Sequence, residues 1–211
     1  MLIKKVIKMS IIESLLWGKE GSYTVFGTSV EFKKGEPKNH YFQEDGLVFD
    51  LANKCMNSKI FCWITLSNLH LFVHEMGHAI AYKLLTNNDS TIEIFNNYCY
   101  GITHFKNSFH MLPDWKRTII NAAGSVSDVT FSASKLIVAT LLTNYISWPL
   151  SLIIKISLIL WMLGEILYAY SSASENDFGD FGKITKSHLV FASTALVAPC
   201  LLGIFASIKF S

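Results

Sequence analysis

Hydrophobic and polar positions change their pattern along this chain. Residues 1–18 set Leu2, Ile3, Val6, Ile7, Ile11, Ile12, Leu15, Leu16 and Trp17 against Lys4, Lys5, Lys8 and Glu13. That spacing predicts a basic amphipathic helix, lying along a membrane surface or packed on its own protein. Glu13 interrupts the apolar centre that a signal peptide needs, and no small-residue cleavage site follows. Over residues 22–50, Tyr23, Val25, Val30, Phe32, Tyr41, Phe42, Val48 and Phe49 are spread among Gly, Pro, Asn and Lys, which predicts a small strand-rich segment.

Long apolar runs follow. They extend from about Ile60 to Leu85, Ile119 to Ile146, Leu150 to Tyr170, and His188 to Ile208. Each reaches the roughly 20 residues that cross a hydrocarbon layer as a helix. Trp148 and Pro149 alone separate the second run from the third, which predicts a tight helical hairpin. Of Trp63, Trp115, Trp148 and Trp161, three fall at or near run ends, where an interfacial belt would put them. In the polar loop from Thr86 to Arg117, Thr91–Phe95 and Tyr98–Thr103 flank Asn96-Asn97, a β-hairpin pattern.

Composition sharpens this picture. Of 211 residues, 51% are hydrophobic and 16% charged, against about 25% charged in ordinary soluble domains; the mean hydropathy is +0.34. A net charge of +2, with Arg117 the only arginine and no Lys/Arg cluster long enough to make a phosphate-binding patch, argues against a nucleic-acid partner. Cys55, Cys62, Cys99 and Cys200 form no C-x-x-C or zinc-ribbon spacing. The expected fold class is an all-α polytopic membrane protein with about four transmembrane helices, a small β-rich N-terminal segment and a β-hairpin after the first transmembrane helix. Residues 1–58 would form the amphipathic helix and strand-rich extra-membrane segment, and residues 59–211 the membrane-embedded core.

The candidate chemistry lies in the first apolar run. His74-Glu75-Met76-Gly77-His78 reads H-E-x-x-H. Residues four apart share one face of a helix, so two imidazoles can hold one zinc ion. Glu75 projects at a different angle, which suits a base acting on water rather than a metal ligand. The membrane-length setting points to peptide chemistry in or at a bilayer. A catalytic zinc needs a third protein ligand. With alternating crossings, the loop after the third run emerges on the histidines' side, and it carries Glu175, Asp177 and Asp180. His70 shares the helical stripe of His74 and His78, but three ligands on consecutive turns cannot easily surround one ion, so it is expected to support or pack. Asp128 and Lys135 fall on one face of the second run, as a mutual pair or with Asp128 beside the site.

H-E-x-x-H in a membrane-length helix, followed by an Asp beside Gly at a later helix start, resembles the site-2 protease family of intramembrane zinc metalloproteases. The resemblance covers about the last 150 residues. Asn121–Asp128 is similar to that family's small-residue element, with Ser125 where the family has Pro and Asp128 where it has Asn. The resemblance implies Zn2+ held by His74, His78 and Asp180, with Asp177 as the alternative third ligand. It also implies Glu75 as the catalytic residue and a membrane-anchored protein as substrate.

The function expected is therefore that of a membrane-embedded zinc metalloprotease. The alternative is a non-proteolytic metal-binding membrane protein, a carrier, sensor or degenerate scaffold. A di-iron lipid hydroxylase is disfavoured, because the seven histidines include no His-His pair. Lys83, Lys106, Lys116, Arg117, Lys183 and Lys186 against Lys54, Lys59 and Lys209 favour the cytoplasm for the catalytic face.

Overall fold

The structure is a computed structural model and describes residues 11–34, 67–95, 100–106, 109–174, 179–182 and 184–210. The chain divides into two compact units, Met1–Lys106 and Asn107–Ser211.

The first unit is a four-stranded sheet covered by helix. Residues 11–17 form helix α1. Strands β1 (Gly21–Val25) and β2 (Thr28–Lys33) pair antiparallel through the two-residue turn Phe26-Gly27. Both turn residues have positive φ, 51° and 82°, which matches the right-handed twist of the flanking strands. Helix α2 (Ser67–Thr86) precedes β3 (Ser90–Phe95) and β4 (Tyr100–Phe105). Sheet order is β1-β2-β3-β4, with β2 and β3 parallel and both outer pairs antiparallel. A parallel pair needs a crossover, and α2 lies within it.

Period-two alternation sets the two faces of this sheet. Val30, Phe32, Ile92 and Ile94 are buried and pack with Met76 and Ala79 of α2 and with Ile11 and Leu15 of α1. The intervening residues face outward. Glu31 and Glu93 are neighbours in the parallel register, and the Lys33 ammonium lies between them, 3.0 Å from Glu31 and 2.7 Å from Glu93. Asn87 follows the last residue of α2; its φ of 58° and its N–H, donated to the Lys83 carbonyl oxygen at 2.8 Å, form a left-handed cap.

The second unit is helical. It comprises α3 (Asp114–Leu141), α4 (Trp148–Ser174), the single turn α5 (Gly179–Gly182) and α6 (Lys186–Phe210). A short 3-10 turn, Thr143–Tyr145, joins α3 to α4, and Pro149 occupies the start of α4, where its missing N–H costs nothing. Helix α3 packs against both α4 and α6. The core holds Val129, Ala133 and Leu136 of α3, Met162 and Ala169 of α4, Phe181 of α5, and Ala192, Leu196 and Cys200 of α6.

These elements correct the expected all-α fold with about four transmembrane helices. The described residues are mostly helical but include a four-stranded mixed sheet. Two helices among them, Trp148–Leu167 and Lys186–Lys209, are long and apolar enough to cross a membrane. The other two long helices among the described residues fall short for different reasons. Helix α2 carries Asn68, His70, His74, Glu75, His78 and Lys83 within its 20 residues. Helix α3 buries Asn121, Ser125, Asp128, Ser132 and Thr140. Flanked by α4 and α6, it can turn polar groups inward, so its sequence need not be apolar all round. Helices α4 and α6 instead expose Leu150, Ile153, Leu160, Leu167, Phe191, Leu202 and Phe205. The strands expected over 35–50, and Cys55, Cys62, Trp63, Cys99, Glu175 and Asp177, lie outside the described residues.

Candidate metal centre

Helix α2 places His74-Glu75-Met76-Gly77-His78 in its middle, and the sheet below determines which way each side chain points. Met76 and Ala79 face the sheet and are buried in its apolar layer. His74 is half-buried; Glu75 and His78 are buried. The two imidazole ring centres are 5.0 Å apart with planes at 75°, and the rings bring ligand nitrogens within 4.8 Å of each other. Two imidazoles on one tetrahedral zinc, each bound at about 2.0–2.1 Å, set their ring centres about 5 Å apart. The pair therefore fits a shared zinc. His70, one turn earlier, is buried at 1% exposure.

Glu75 is directed to β4 by two residues of that strand. Thr103 Oγ1 is 2.7 Å from Glu75 Oε2 and 3.1 Å from the Glu75 carbonyl oxygen. A hydroxyl has one proton, and the shorter, charge-assisted contact to the carboxylate takes it. Gly101 lies two residues earlier, on the same face of the strand. A Cβ built there would fall 2.7 Å from Glu75 Cγ and 2.8 Å from Oε1. The register explains the orientation: Gly101 pairs with Ile94 and Thr103 with Ile92, and both isoleucines belong to the face covered by α2.

In the second unit, Asp180 is half-buried in α5 and accepts a hydrogen bond from Ser125 Oγ at 3.0 Å. Ser125 and Asp128, one turn apart on α3, are both buried. Trp161 donates its indole N–H to Asp128 Oδ2 at 3.0 Å, so this tryptophan, midway along α4, holds a buried carboxylate. Carboxylate oxygens of Asp128 and Glu165 lie within 4.8 Å of each other. The Lys135 ammonium sits 4.7 Å from the centre of the Phe131 ring. His188 is half-buried, with its Nδ1 3.2 Å from Thr118 Oγ1 and 3.1 Å from Thr185 Oγ1.

Of the residues the sequence put forward, His74, Glu75 and His78 are thus brought together on one helix. Asp180 belongs to the second unit, and Asp177 lies outside the described residues. Sequence reasoning missed Thr103 and Gly101. The available signal was a glycine inside a strand pattern, which marks close approach by another group. Comparison with protein-family models, curated proteins and solved structures finds no match to this chain.

Proposed function

We propose that this protein is a membrane-anchored zinc metallopeptidase of the site-2 protease type that cleaves membrane-anchored proteins. The observation carrying this reading is the paired imidazoles of His74 and His78 at zinc-sharing separation, with the buried Glu75 carboxylate beside them. His74 and His78 would hold the metal, with Asp180, or Asp177, as the third ligand. Bound zinc supplies a Lewis acid that polarises a carbonyl and brings the pKa of water to about 7.

The chain's own residues supply the rest. Glu75 takes a proton from the attacking water and passes it to the departing amine. Its burial beside the sheet keeps bulk water from competing for that proton. A substrate helix must unwind before attack, because its peptide carbonyls are engaged in its own hydrogen bonds. β4 ends the described strand order, so an extended substrate can add to it as a further strand. Trp148–Leu167 and Lys186–Lys209 would anchor the protein. We assign the catalytic face to the cytoplasm on the lysine excess around residues 83–117 and 183–186.

The test is purified protein reconstituted in vesicles with a membrane-anchored reporter. Wild type should cleave it, and Glu75→Gln should keep its zinc while losing cleavage. A carrier or sensor would bind zinc without cleaving. Undiminished cleavage by Glu75→Gln would end the proposal.

A further inference from the structure

We infer that Thr103 and Gly101 of β4 form a seat for the Glu75 carboxylate, with Thr103 a positioning residue that fixes which oxygen handles the proton. The catalytic consequence rests on the peptidase reading above; the seat itself rests on geometry within the first unit. A carboxylate on a helix can rotate about its terminal bond, so either oxygen could face the reacting water. Here one contact holds the rotation and one missing side chain leaves room for the carboxylate. Thr103 donates to Oε2 at 2.7 Å. Cγ and Oε1 lie where a side chain at position 101 would begin, 2.7 and 2.8 Å from an added Cβ, with Cδ at 3.1 Å. Any residue other than glycine would displace the carboxylate or the strand. With Oε2 engaged by the hydroxyl, Oε1 becomes the proton-accepting atom.

This arrangement also ties the base to the sheet edge. Thr103 lies in the strand to which an extended substrate would add, so the strand offering main-chain bonding also orients the base. A peptide seated on β4 and the carboxylate that serves its cleavage then share one rigid element, held in register by the Ile92–Thr103 and Ile94–Gly101 pairs. Positioning of this kind is effective because small misplacements of a reacting group are costly in rate.

Thr103→Val is the informative variant. It keeps the shape and the β-branching that favour a strand, and removes only the hydroxyl. In the full-length, zinc-loaded protein in vesicles, kcat for a membrane-anchored reporter should fall roughly 10- to 100-fold, the usual effect of losing a group that orients a site residue. KM and zinc content should stay at wild-type values, and Thr103→Ser should restore kcat. Gly101→Ala should lower kcat in the same way. A second readout needs no turnover. The Glu75 carboxylate stretch, identified in difference infrared spectra by its loss in Glu75→Gln, should shift in Thr103→Val and return in Thr103→Ser. A band that stays put in Thr103→Val overturns the seat. An active wild type whose Thr103→Val variant is equally active overturns the positioning role and leaves the peptidase reading standing. A wild type that cleaves nothing, while the band shifts and recovers as described, refutes the peptidase reading and supports the seat.

Discussion

Replacing Gly203 with alanine places a methyl group where α6 meets α3. The added Cβ would lie 2.7 Å from Ala133 Cβ and 3.0 Å from its Cα. The Cα belongs to the backbone, so no rotamer change relieves the clash and the helices must move apart. Moving them also stretches the Thr140–Ser207 hydroxyl contact, 2.8 Å in the same interface. Gly164 in α4 is the internal control, since an added Cβ there meets nothing within 4 Å. Both substitutions gain the same helix propensity, roughly 1 kcal/mol over glycine. That term cancels between them, so the difference in stability reports the steric cost alone. Overpacking costs about 1–3 kcal/mol. For a chain of this size, that separates the two melting temperatures by about 2–12 °C. Gly164→Ala should melt at or above wild type and Gly203→Ala at or below it. The assay is thermal unfolding of purified protein in one detergent, followed by circular dichroism. Equal melting temperatures, or a Gly203→Ala variant above Gly164→Ala, would refute the close helix approach.

Other predictions probe separate parts of the molecule. Trp161→Phe removes the indole donor to Asp128 Oδ2 and should cost about 0.5–1.5 kcal/mol, the usual net worth of a hydrogen bond; an unchanged melting temperature counts against the bond. Burial by itself would raise the Glu93 pKa, but the Lys33 hydrogen bond and charge, with His104, outweigh it and hold it below its ordinary value of 4.5. A lowered folded-state pKa contributes stability above the unfolded value, lost as pH falls through the folded one. Glu93→Gln should therefore flatten the stability-versus-pH curve below about pH 4.5, and a parallel curve would show that the ion pair contributes nothing. Leu160 and Phe205 are 62% and 67% exposed, so lysine there removes little packing. Each charge should cost about 2.5–3.5 kcal/mol in a bilayer and reduce the carbonate-resistant membrane fraction, whereas full retention would mean these faces do not contact lipid.

How far the fold could be read from the chain depended on how local each determinant was. The 91–103 hairpin pattern marks strands that form, because alternation and a short connection act between adjacent segments. Nothing local announces that β2 pairs in parallel with β3 across a long connection, so a helix–sheet unit read as a membrane-spanning helix next to a hairpin. The overcount of spans has a related cause. Hydropathy sums residues without regard to facing. The run containing Asp128 and Ser132 scores as moderately apolar, although its polar groups turn toward α4 and α6 and the helix lacks the composition of a span.

The candidate site divides along the same line. His74, Glu75 and His78 were determined by sequence alone, because the helical repeat brings residues four apart onto one face whatever surrounds them. Thr103 and Gly101 sit 28 and 26 positions from Glu75, and only the packing of α2 on β4 decided that a hydroxyl and a missing Cβ would meet that carboxylate. Short-range periodicity is encoded residue by residue, whereas a contact between a helix and a later strand exists only once the chain between them has folded back.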